Sequence, residues 1–95
     1  FKPKETNMKV QNMRSSRGNK VANQFILSDM DGNQFFQSYD STIARVSNQG
    51  EITLDRDYWD YSATTGKYRN IFLGEGIADT RKKIDSGEYK LMNLN

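Results

Sequence analysis

The chain has no cysteine and no histidine among its 95 residues. Without cysteine there is no disulfide, no thiolate nucleophile and no cysteine-ligated zinc site. Without histidine the commonest general base and the commonest metal ligand are missing. A Ser–His–Asp triad, a Cys–His pair and an H-E-x-x-H zinc helix are therefore all excluded. Long apolar runs are absent too: nothing approaches the ~20 residues that a membrane-spanning helix needs, and no secretory signal pattern is visible. Hydrophobic content is only 35%, with 27% charged residues, which allows one domain with a small core. An aromatic content of 12% argues against wholesale disorder.

Charge is present but unevenly placed. The formal net charge of +2 conceals a basic start and an acidic remainder. Residues 1–20 carry Lys2, Lys4, Lys9, Arg14, Arg17 and Lys20 against Glu5, which is +5. Residues 21–95 carry eight basic and eleven acidic side chains, which is −3. This pattern divides the chain into a basic, partly ordered arm (1–20) and one small body (21–95). Within the arm, Met8, Val10 and Met13 are able to form a short strand against the body. Arg14, Arg17 and Lys20 are candidate phosphate contacts, with Ser15 and Ser16 beside them; a solvated tail is the alternative.

The aromatics concentrate in Asp55–Glu75, which holds the only Trp and three of the five Tyr. Arg56, Tyr58, Trp59, Tyr61, Lys67 and Arg69 form a candidate binding surface of rings flanked by cations. The alternative is a core helix whose rings pack on a sheet. Ser62 or Thr65 caps a helix that Gly74 ends. Tyr61, Thr65, Tyr68 and Phe72 then share one face with Ile71 beside it, and Lys67, Arg69 and Asn70 point away.

The remaining elements follow from period-two alternation and turn residues. Lys20–Ser28 is a strand with Val21, Phe25 and Leu27 on one face and Ala22, Gln24 and Ile26 on the other. A turn at Asp29–Asn33 leads to a return strand, Gln34–Tyr39. Further strands are expected at Ser41–Ser47, Glu51–Asp55 and Glu88–Leu94, with a second helix over Ile77–Ser86 whose Arg81-Lys82-Lys83 cluster faces solvent. Strands, then helices, then a strand argue for an α+β fold: a mainly antiparallel sheet of about four to five strands with two short helices packed on one face.

Carboxylates are the only plausible catalytic set. Asp29-Met30-Asp31-Gly32 ends an apolar strand, as the nucleophile loop of haloacid-dehalogenase-type phosphatases does. Asp29, Asp31 and Asn33 also match the first odd positions of an EF-hand loop, but Gln34 stands where that loop requires Gly. A plain turn accounts for both matches. Asp55, Asp57 and Asp60 form the other group, able to converge on a divalent cation or to pair with Arg56 and Lys67 and cap the helix.

The words V-A-N-Q-F-I-L (21–27), F-Q-S-Y-D-S-T-I-A (36–44), Y-W-D-Y-S-A-T-T-G-K-Y-R-N-I-F-L-G-E (58–75) and S-G-E-Y-K-L-M-N-L-N (86–95) resemble a small domain family of unassigned function in bacteriophage and mobile-element proteins, including phages of gut bacteria. The resemblance covers about residues 20–95. It implies a viral or mobile-element origin and, for a phage protein, a place in the host cytoplasm. It carries over no site residues.

Three functions fit these observations. The first is a non-catalytic accessory module that binds nucleic acid through the basic arm and the aromatic stretch. The second is a protein-binding module that occupies a host or phage protein, with Trp59 as anchor. The third is a metal-dependent hydrolase built on the clustered carboxylates. The first two need no cofactor, no metal and no catalytic residue, and none of the three engages a membrane.

Overall fold

A computed structural model describes residues 8–95. Its elements, in chain order, are β1 (Met8–Arg14), β2 (Lys20–Asp29), β3 (Gln34–Ser38), β4 (Ser41–Val46), β5 (Ile52–Asp55), α1 (Ala63–Leu73), α2 (Ile77–Asp85) and β6 (Lys90–Met92). They form one six-stranded sheet in the order β1-β2-β3-β4-β5-β6. The first five strands run antiparallel as a meander. The two helices carry the chain back so that β6 pairs with β5 in parallel, because a parallel neighbour requires a long crossover.

The sheet has one strand more than expected, and the extra strand is β1. Met8–Asn12 pairs with Phe25–Asp29 in unbroken register, and Arg14 pairs with Lys20 across a bulge. Met13 is 4% exposed and belongs to the hydrophobic core. The basic segment is thus a structural part of the sheet from Met8 onward, because one buried methionine and a row of ladder bonds hold it there.

Three of the four hairpin connections are built alike. Ser15–Asn19, Asp29–Asn33 and Ser47–Glu51 each start with a residue whose side-chain oxygen accepts the backbone N–H groups two and four positions on. In each loop the first and fifth residues bond through their backbones, and the fourth residue is a glycine at positive φ: Gly18 at 80°, Gly32 at 87° and Gly50 at 85°. This is the three-residue hairpin loop closed by a left-handed residue, for which glycine carries no steric penalty. The Asp29 carboxylate is therefore engaged in folding its own turn. The fourth connection is the tight turn Tyr39–Asp40, with Tyr39 at φ 55°.

Both helices pack on one face of the sheet. The core joins Met13, Phe36, Ile43, Ala44 and Leu54 from the strands to Tyr68 of α1 and Tyr89, with Trp59, Phe72, Leu73 and Ile84 packed against them. Leu27 and Phe35, paired across β2 and β3, are buried outside this cluster. Two irregularities depart from strict alternation. Asn23 adopts φ 65°, so Val21 joins Ile26 against the core instead of sharing a face with Leu27. The register of β3 and β4 shifts between Phe36 and Gln37, leaving Ile43 as the unpaired residue of a bulge. Adjacent Ile43 and Ala44 are consequently both buried.

α1 starts and stops as its sequence dictates. The Ser62 hydroxyl accepts from the Thr65 N–H, and Gly74 closes the helix at φ 71°. The Ser38 and Thr65 hydroxyls, 2.9 Å apart and buried, fix the first turn of α1 to the end of β3.

Candidate nucleic-acid interface

Antiparallel alternation sorts the connections to two ends of the sheet. The loop after β1, the Tyr39–Asp40 turn and the exit from β5 all lie at one end, where α1 also begins; the Asp29–Asn33 and Ser47–Glu51 loops lie at the other. The first end collects most of the cations and rings singled out in the sequence. β2 continues past its last partner on β3, the pair Gln24–Ser38. The tip of the β1–β2 hairpin therefore lies beyond the β2–β3 pairing, bent at Asn23 so that Val21 and Met13 pack against the core. It carries Arg14, Arg17 and Lys20, all exposed. Arg14 donates from Nη1 to the Gly18 carbonyl at 3.1 Å, which holds one guanidinium to the loop.

Across the same end, the segment after β5 is positioned by a buried carboxylate. Asp55 is fully enclosed. Its Oδ2 accepts the N–H groups of Asp57 (3.1 Å) and Tyr58 (2.9 Å), and its Oδ1 accepts the Leu94 N–H (2.8 Å) and Asn95 Nδ2 (3.0 Å). Asn95 in turn bonds both backbone groups of Thr42 on β4. One aspartate thus ties the aromatic segment to the last residues of the chain. Tyr58 and Tyr61 meet edge to face with ring centroids 5.5 Å apart, and they are 40% and 46% exposed. Arg56 is exposed beside them, 3.7 Å from Asp57.

Two expected surface residues turn inward, so the aromatics do not make one continuous surface. Trp59 is half-buried and packs against the core. Arg69 was expected to point away from the sheet, yet its side chain is 1% exposed. Its guanidinium lies 5.2 Å from the centre of the Trp59 ring. Its Nη1 donates to the Trp59 carbonyl (2.7 Å) and to Asp60 Oδ1 (3.0 Å), and its Nη2 to Asn70 Oδ1 (3.0 Å). The planar fork satisfies a carbonyl and a carboxylate at once, which a helical period does not foresee. Lys67 is exposed on α1, with Nζ 5.4 Å from the centre of the Tyr68 ring.

The carboxylates of this segment do not converge. Asp55 serves backbone donors, Asp57 faces Arg56, and Asp60 is shared by Arg69 and by Arg81 of α2 at 3.4 Å. Among the described residues no group of three or more acidic side chains is placed to hold a metal ion.

A second polar cluster, at the junction of α2 and β5, has no signal in the sequence. Glu75 accepts from Tyr89 Oη and Lys83 Nζ on one oxygen, each at 2.7 Å, and from Thr80 Oγ1 on the other at 2.6 Å. Burial opposes its charge, but the bonds from Lys83, Thr80 and Tyr89 outweigh burial and hold the carboxyl below its ordinary range. Its hydrogen bond to Lys83 raises the ammonium well above the usual lysine value, against a smaller desolvation effect. Burial, together with the bond to the Glu75 carboxylate, pushes the Tyr89 hydroxyl up to about 12. Lys83 was expected on a solvated face; the Glu75 carboxylate draws it in. The cluster floors an open cleft of about 590 Å³ bordered by Glu51, Thr53, Glu88 and Lys90.

A family model matches residues 8–89, from the first residue of β1 to Tyr89; its description is a family of unknown function, DUF8033. The chain belongs to that family. Neither a curated protein nor a solved structure matches the chain. Membership of the family brings no activity with it, so any function has to be argued from the geometry. No helix among the described residues is long and apolar enough to cross a membrane.

Proposed function

We propose that this domain is a non-catalytic nucleic-acid-binding module that uses the hairpin end of its sheet. The reading rests on one observation: the β1–β2 tip carries Arg14, Arg17 and Lys20 exposed beyond the β2–β3 pairing, at the end where Arg56 is also exposed. Cations on a hydrogen-bonded hairpin gain phosphate contacts at a lower entropic cost than cations on a loose tail. We assign it an accessory role in handling the nucleic acid of a phage or mobile element. The protein-binding reading, with Trp59 as anchor, has less to carry it, because Trp59 is half-buried and packed against the core.

The decisive measurement is affinity for DNA and RNA as a function of salt. Affinity should fall steeply with salt. Replacing Arg14, Arg17 and Lys20 together by alanine should lower the log–log slope by about three, roughly one unit per lost phosphate contact. Absence of binding at low salt, with a host protein captured through the same end, would return the protein-binding reading to first place.

A further inference from the structure

Resting on that reading, we infer that the ligand is a single strand and that Tyr58 is the residue on which one of its bases stacks. Three features of the hairpin end carry this. Tyr58 is exposed, yet its backbone N–H is fixed by the buried Asp55 carboxylate at 2.9 Å, so the ring is offered from a held position. Its edge-to-face contact with Tyr61 keeps the two rings from stacking on each other and leaves ring surface open to a base. A duplex hides its base faces, whereas an unpaired strand presents them to aromatic side chains.

The spacing suits a short strand. Three inter-strand steps separate β2, which carries the basic tip, from β5, which leads to Tyr58. At about 4.8 Å per step that is about 14 Å, or about four nucleotides of a stacked strand at 3.4 Å each. Between the two lies the β3–β4 turn with exposed Asp40, and exposed Asp57 adjoins Tyr58. A strand that runs from the hairpin cations to the ring passes these carboxylates, so the preference for a single strand rests on the exposed Tyr58 ring and not on charge. Exposed Arg56 is placed to meet the phosphate next to the stacked base.

The test is fluorescence anisotropy at low salt with labelled oligo-dT, oligo-U and a duplex, each about eight nucleotides long. Single strands should bind about tenfold more tightly than the duplex, and the dT and U arms show whether the sugar matters. Tyr58→Ala should weaken single-strand binding about tenfold and leave duplex binding unchanged, as expected for one stacked base. Tyr58→Phe should retain it. Arg17→Ala should weaken all three ligands together. Circular dichroism and Trp59 fluorescence confirm that each variant is folded. Equal affinity for duplex and single strand, or single-strand binding that ignores Tyr58→Ala, overturns this inference and leaves the basic hairpin reading intact. Failure of every ligand to bind overturns both.

Discussion

At the scale of single residues, two buried polar side chains act in opposite directions. Asp55 is satisfied by four donors from two separate segments. Asparagine at this position has one acceptor oxygen and an amide that faces donors. Asp55→Asn should therefore cost at least about 2 kcal/mol, measured by urea unfolding, and should loosen the Tyr58 segment to proteolysis. Gln24 is the opposite case. Its side chain is fully buried, and neither its oxygen nor its nitrogen makes a hydrogen bond. An unsatisfied buried amide is costly, so Gln24→Met should stabilise the fold by about 1–2 kcal/mol. A lower urea midpoint in that variant would show that the amide is paired in solution.

At the scale of elements, the hairpin loops and β1 carry the main lessons. The three similar loops repeat a Ser or Asp, two variable residues and a glycine. Conformational cost alone separates Gly50 from alanine, because an added Cβ meets nothing within 4 Å. Gly50→Ala should cost about 1–2 kcal/mol, the usual penalty of a left-handed backbone. Gly32→Ala should cost more, since its Cβ would come within 3.3 Å of Asn48 Cβ. That contact lies where Asn48 bonds Asn33 Oδ1 and the Asp31 carbonyl and so ties the two distal loops together. Comparing the two variants by thermal unfolding separates backbone strain from clash. The strand β1 is equally demanding. Met13→Ala should cost about 2–4 kcal/mol as a core truncation, and removing residues 1–18, which a basic arm would tolerate, should unfold the domain. A cooperative unfolding transition in that truncation would refute the assignment of β1 to the core.

At the scale of the whole molecule, titration ties the helices to the sheet. The lowered Glu75 and Asp29 carboxyls bind protons more weakly folded than unfolded. Their contribution to stability is present above their ordinary values of 4.5 and 3.8 and is lost as pH falls through the lowered ones. Lys83 and Tyr89 are raised, so their contribution is present below their ordinary values of 10.5 and 10.0 and is lost as pH rises further. Stability should thus be flat between about pH 5 and 10 and fall on both sides. Glu75→Gln should shallow both limbs, because the carboxylate's hydrogen bond is the main cause of the Lys83 shift and adds to burial in the Tyr89 shift. An unchanged alkaline limb in that variant would mean that the Glu75–Lys83–Tyr89 cluster does not persist in solution.

What the sequence by itself determined is local. The helix caps at Ser62 and Gly74, the glycine loops, the strand positions and the α+β order all depend on contacts within a few residues, and patterns of that length are legible in a chain. The placing of the cations and rings required the tertiary structure. Arg69 and Lys83 occupy positions that helical periodicity assigns to solvent, but buried Arg69 and half-buried Lys83 follow their acceptors, and Asp60 and Glu75 lie nine and eight residues away. Met13 is apolar within a basic stretch, and only pairing with β2 shows that it belongs to the core. The gathering of Arg17, Arg56 and Tyr58 at one end is a property of the meander. Antiparallel reversal returns alternate connections to the same side, and no short-range pattern in the sequence records which ends those are.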